Sequence, residues 1–227
     1  MFFKEVVDLS RELFNNMPGI SASSMAAFWP SDTHGRSSTN SQGALSMESH
    51  MILMSEHIST HFDCPFHCDP NGLTVDKYPL ERLVVPGQLF DFTSKGVREA
   101  ITPADFEAVE RSGKPIAKGT AVLAWTGQDQ NWGKPNFTMD RPYLPTQTAE
   151  WLVQREIALF GTDLIGIDDP DDWRWRTHAA FLRSNVPMVQ QMCNLGALQG
   201  KEFILAVLPL KIRNSTGVPV RPVALVL

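Results

Sequence analysis

Residues 57–67 read His57-Ile58-Ser59-Thr60-His61-Phe62-Asp63-Cys64-Pro65-Phe66-His67, so three of the six histidines and one carboxylate fall in a single short segment. Neutral imidazole and ionised carboxylate are the ligand types that zinc, manganese and iron accept. His57 and His61 are four residues apart, which would place both on one face of a helical turn. A fully extended chain would instead hold them about 13 Å apart, too far to share a metal. The segment is therefore expected to curl, with a helical turn ending near Phe62, and Pro65 favours extended geometry at Cys64. On these grounds His57, His61 and Asp63 are expected to bind one divalent metal and leave a position open for water, the pattern of a catalytic site. His67, beyond the proline, suits acid/base work. An imidazole with an ordinary pKa of about 6.5 can take a proton from attacking water and return it to a leaving nitrogen.

The remaining candidates are weaker. His34 and His50 are expected to be exposed. Cys64 and Cys68 lack the paired spacing of thiolate zinc sites and read as small apolar residues lining a pocket. Asp168, Asp169, Asp171 and Asp172 read as a solvated turn, and His178 follows them at the start of a helix.

The elements that must position these groups are mixed. A polar loop is expected at Ser31–Gly43, then a buried strand around Met51–Met54 leading into the histidines. Leu83–Val85 and Gln88–Phe92 read as two strands broken by Pro86-Gly87. Thr102 caps a helix with Pro103 in its first position, running to about Ser112 and stopped by Gly113. Ala121–Trp125 is a short apolar strand. Thr146–Arg155 has Ala149, Leu152 and Val153 spaced for one buried helical face. Leu164–Ile167 reads as a buried strand, His178–Ser184 as a short helix, and Met188–Met192, Ile204–Leu208 and Val223–Leu227 as further strands. Together they predict a single α/β domain over residues 1–227, built on a mixed sheet or barrel.

Bulk properties exclude several classes. A net charge of −5 provides no basic field for nucleic acid or an anionic membrane. No apolar run is long enough for a transmembrane helix, and charges at Lys4, Glu5, Asp8, Arg11 and Glu12 interrupt any signal-peptide core, so a cytoplasmic protein is expected. Three cysteines do not make a disulfide framework. Glycine-rich nucleotide-binding loops and a Gly-x-Ser-x-Gly elbow are missing from the sequence.

The motif resembles that of the metal-dependent cyclase-like hydrolases, a family that includes bacterial kynurenine formamidases and isatin hydrolases. Their hallmark, His-x-Gly-Thr-His-x-Asp-x-Pro-x-His, is matched at His57, Thr60, His61, Asp63, Pro65 and His67, with Ser59 in place of the glycine. The resemblance extends along the chain. Val7-Asp8-Leu9-Ser10 looks like the family's opening strand, and Tyr78 to Leu83 follows the motif. Thr126-Gly127 matches an Arg-Thr-Gly turn with Trp125 for the arginine. Gly166-Ile167-Asp168 fits a strand end, while Pro209 to Ile212 and Pro219 to Arg221 resemble the C-terminal signature.

This resemblance implies a swivelling β/β/α-type fold, a homodimer or higher homo-oligomer, and hydrolysis of an amide-type C–N bond in a small aromatic substrate. In the formamidases a second zinc is held by a downstream His and a Glu twelve residues later. Here His178 matches the His, but Gln190 stands at the second position. A neutral amide cannot offset a second cation's charge as a carboxylate does. The resemblance is then closest to the isatin hydrolase branch, with one metal, manganese first and zinc as the alternative. His178 and Gln190 would orient the substrate by hydrogen bonds. In the implied reaction Asp63 or His67 takes the water proton, His67 protonates the leaving aniline-like nitrogen, and Phe62, Phe66, Trp29 and Trp125 wall a flat pocket. Trp29 would do so by reaching a partner subunit. A two-zinc formamidase or ester hydrolase and a non-catalytic metal-binding protein are the alternatives.

Overall fold

Short apolar runs separated by proline and glycine turns make short strands, and the residues described by a computed structural model, 3–21 and 24–227, form them in the following order. β1 (Glu5–Asp8), β2 (Ala26–Asp32), α1 (His34–Asn40), β3 (Ser49–Met54), β4 (His61–Asp63) and β5 (Val84–Asp91) come first. α2 (Pro103–Ser112), β6 (Ala121–Trp125), α3 (Thr146–Gln154), β7 (Leu159–Thr162), α4 (Arg176–Arg183), β8 (Met188–Gln190), β9 (Phe203–Ala206), β10 (Gly217–Pro219) and β11 (Val223–Val226) complete the chain. None of the described helices is long and apolar enough to cross a membrane.

Nine strands form one mixed sheet in the order β1-β11-β9-β5-β6-β7-β8-β4-β10, which curls into a half-barrel. β5, β6, β7 and β8 run parallel, and the other pairings are antiparallel. Both faces of the sheet are covered. On β6, Val122 and Ala124 join Phe90, Phe106, Phe160 and Phe181 beneath the helices, while Ala121 and Leu123 join Phe62, Phe203 and Val218 on the other side. That two-sided burial is why β6 and β7 are apolar at nearly every position instead of alternating. The fold is thus a single α/β unit with a mixed sheet, as the sequence predicts.

Local expectations fare unevenly. α2 starts as predicted, with Thr102 and Asp105 forming a reciprocal capping box. α3 buries Thr148, Ala149 and Leu152. The Pro86-Gly87 break is instead one continuous strand. β5 pairs with β9 up to Gly87 and with β6 only from Gly87 onward, so the missing N–H of Pro86 falls where one neighbour is absent. The polar stretch after Ser31 forms α1, because Thr33 accepts the Arg36 N–H as its cap. Leu164–Ile167 is buried but irregular, and the strand is the preceding Leu159–Thr162.

The largest difference lies at β3. It pairs only with β2 in a separate ribbon, and Met51, Ile52 and Leu53 are all more than half exposed rather than buried.

Candidate metal centre

β4 carries the centre of the site. Side chains two apart share a strand face, so His61 and Asp63 point one way while Phe62, between them, enters the core at 0% exposure against Tyr78. The register of β4 with β8 sets His61 opposite Gln190. On the other side β10 sets Gly217 opposite Asp63. A Cβ on Gly217 would lie 2.4 Å from His57 Cε1 and 2.6 Å from the Phe62 carbonyl, so only glycine lets this strand run so close.

His57 is not on a helical turn. The chain returns from it to β4 through an irregular turn in which Ser59 has φ 56°, the left-handed region that favours glycine. The serine thus takes up a conformation that glycine would adopt without strain.

Three potential ligand atoms, one each from His57, His61 and Asp63, lie within 4.8 Å of one another. Their partners assign the protons. His61 Nδ1 faces the Ser59 carbonyl at 2.8 Å, which can only accept, so Nδ1 carries hydrogen and Nε2 turns a lone pair toward Asp63 Oδ1 at 3.3 Å. Thr216 donates its hydroxyl proton to Glu56 and accepts from His57 Nε2 at 2.9 Å. His57 Nδ1 is left facing Asp63 Oδ1 at 2.6 Å. With both imidazoles neutral, three acceptor atoms converge, an arrangement that calls for a cation.

Electrostatics couple the three groups tightly. Burial alone would raise the Asp63 pKa, but the two imidazoles outweigh it and hold the carboxyl well below its ordinary value. Burial would lower His61, but the Asp63 carboxylate outweighs it and raises that imidazole, so a metal ion would bind there in exchange for a proton. The donor set therefore fits a divalent metal, and Cys64 and Cys68 do not compete. Burial pushes both thiols up to about 11, and Cys64 Sγ lies 3.0 Å from the Thr216 carbonyl, which it bonds.

Beside the triad a second relay is closed by hydrogen bonds. Asp168 accepts from the Thr177 N–H and holds His178 Nδ1, so His178 Nε2 is an acceptor. Gln190 Nε2 gives one proton to that nitrogen at 2.9 Å and the other to Asp63 Oδ2 at 2.5 Å. Gln190 Oε1 remains buried without a partner. Asp168, read from sequence as part of a solvated turn, is 8% exposed and anchors this relay. Asp172, by contrast, pairs with Arg174 and Arg176 at the surface. The exposed positions of His34 and His50 beside Glu48 match the expectation.

The triad opens on a cavity of about 210 Å³ lined by Ile20, His57, His61, Asp63, His67, Ile165, Trp175, His178, Gln190 and Gln191. His67 enters it from the turn Pro65–His67, its ring 4.0 Å from that of His57. Burial pushes its pKa down to about 4, opposed by Asp63 and reinforced by the neighbouring imidazoles, so it is neutral at pH 7.

The aromatic wall differs from expectation. Phe62 packs in the core by strand alternation, and Phe66 and Trp125 lean on that same cluster. Trp29 stands 45% exposed on the ribbon, away from the cavity of its own chain. The apolar walls are Ile20, Ile165 and Trp175 instead. These residues, like Gln191, Thr216 and Gly217, carry no local sequence signal. They converge only through the sheet.

Comparison with known proteins gives a consistent result. The family described as "Putative cyclase" matches residues 7–169. A kynurenine formamidase from Bacillus cytotoxicus is 28% identical over 225 residues, covering 96% of each chain. Isatin hydrolase A from Labrenzia aggregata, solved with benzyl benzoate, superposes with a TM-score of 0.85 at 25% identity, covering 97% of this chain and 93% of that one. An isatin hydrolase bound to the product analogue thioisatinate gives a TM-score of 0.87 at 23% identity, covering 97% and 91%.

Proposed function

Since this chain belongs to the cyclase family, we propose that it is a one-metal hydrolase that opens a compact cyclic aromatic amide, as isatin is opened to isatinate. His57, His61 and Asp63 hold the ion, manganese in the first instance and zinc as the alternative. When bound, such an ion supplies Lewis acidity and lowers the pKa of water.

The observation that carries the one-metal reading is the Gln190 amide. Both of its protons are committed, to Asp63 and to His178 Nε2, so the position where a second ion would need a carboxylate offers only a carbonyl oxygen. The cavity of about 210 Å³ favours a compact bicyclic ring over a longer open-chain formamide.

His67 is the proton carrier in this reading. Asp63 has both oxygens engaged, by His57 and by Gln190, and so has none free to accept a proton from water. The His67 imidazole is neutral and makes no hydrogen bond among the described residues, so it is free to take a proton from water and return it to the leaving nitrogen. Trp175 and Ile165 flank the flat ring. A homodimer belongs to the same proposal. The exposed Met51, Ile52, Leu53 and Trp29 of the ribbon support burial against a second copy of the chain, which light scattering would detect.

Metal-loaded protein assayed side by side on isatin and N-formylkynurenine tests the proposal. Opening of isatin is expected. Turnover of N-formylkynurenine alone, with two zinc ions per chain, would show a kynurenine formamidase instead.

A further inference from the structure

Gln191 sits next to Gln190 but is bonded quite differently. Its backbone has φ 55°, a conformation that long side chains rarely adopt. Three hydrogen bonds pin that backbone: its N–H donates to the Leu164 carbonyl, and its own carbonyl accepts from Thr60 Oγ1 at 2.7 Å and Arg11 Nε at 3.2 Å. The residue lines the cavity beside the triad and is 2% exposed. None of the hydrogen bonds among the described residues reaches its amide, and Oε1 is buried without a partner. Buried amides are nearly always paired, and Gln191, unlike Gln190, has neither end of its amide bonded, so at this cavity wall its hydrogen-bonding capacity is available to a ligand.

We propose that Gln191 is a specificity-determining residue that reads the N–H and C=O edge of a cyclic secondary amide. The chemistry of the edge selects the class. In a small lactam the ring forces N–H and C=O to the same side, and a primary amide offers an acceptor and a donor at matching spacing. An open-chain secondary amide is trans and turns these groups to opposite sides, so one glutamine cannot pair with both. Gln190 cannot take this part, because Asp63 and His178 already use both its protons.

The inference rests on the lactam reading above, so its test includes a measurement that does not need turnover. Metal-loaded protein is titrated with oxindole and with 2-indanone, which has the same shape but carries CH₂ where oxindole carries N–H. Wild type is expected to bind oxindole roughly 10- to 100-fold more tightly, and Gln191→Leu to bring the pair within about threefold while keeping its metal. Gln191→Met, closer in length, should do the same if the leucine variant folds poorly. A structural role would weaken both ligands equally and leave their ratio unchanged. A wild-type ratio near one, with isatin still hydrolysed, overturns the inference alone. Failure of wild type both to bind oxindole and to open isatin overturns the lactam reading with it.

Discussion

On one wall of the cavity the far atoms of His57, His61 and Asp63 are fixed by Thr216, Ser59 and Gln190, which leaves His57 Nδ1, His61 Nε2 and Asp63 Oδ1 facing one another. In the same cavity the His67 imidazole, packed beside His57, and the Gln191 side-chain amide have no hydrogen-bond partner among the described residues. The difference separates holding from handling. Ligand atoms must converge in one orientation and are locked by a surrounding layer of bonds to Ser59, Thr216 and Gln190. A group that moves a proton or reads a substrate must keep its hydrogen-bonding capacity free until the substrate arrives.

Substitutions can break this contrast in graded steps. Asp63→Ala should have the largest effect, abolishing metal binding and measurable turnover together, as metal analysis and an amide-hydrolysis assay would show. Retention of stoichiometric metal would deny the locked wall its function. His67→Ala should leave metal content unchanged while lowering kcat by roughly 10²- to 10⁴-fold. If metal is lost as well, holding and handling are not separable. Thr216→Val removes the acceptor that orients His57 Nε2 and should weaken metal affinity about 10- to 100-fold, measured by competition with a chelating dye. Ser59→Gly should have the smallest effect. It relieves the left-handed strain and removes a buried, unpaired hydroxyl, stabilising the fold by about 1 kcal/mol. That should raise Tm by about 2–4 °C with little change in turnover.

What was legible in the sequence follows the range of the forces involved. Caps, turns and local spacing act within a few residues, so α2, α3 and the grouping of His57, His61 and Asp63 as a triad that could hold a metal could be read directly. The helical turn proposed for His57 and His61 could not survive, because strand pairing of β4 with both β8 and β10 overrides local helical spacing. The same pairing sent Phe62 to the core, since alternate strand residues face opposite ways. Thr216 reaches His57 across 159 positions, and Gln190 reaches Asp63 across 127. No local pattern announces such a contact. Asp168 misled for a related reason: it sits in an acidic turn by composition, yet the N-terminus of α4 and His178 draw it inside. The ribbon shows the opposite error, since in the apolar run Met51–Met54 the first three residues read as core although their own chain leaves them exposed.

The most direct test of the account is the stoichiometry of divalent metal. Metal-free protein titrated with manganese, and separately with zinc, should saturate at one ion per chain, with no binding in the Asp63→Ala variant. Saturation at two ions per chain, or an undiminished titration in that variant, would contradict the one-metal site built on His57, His61 and Asp63.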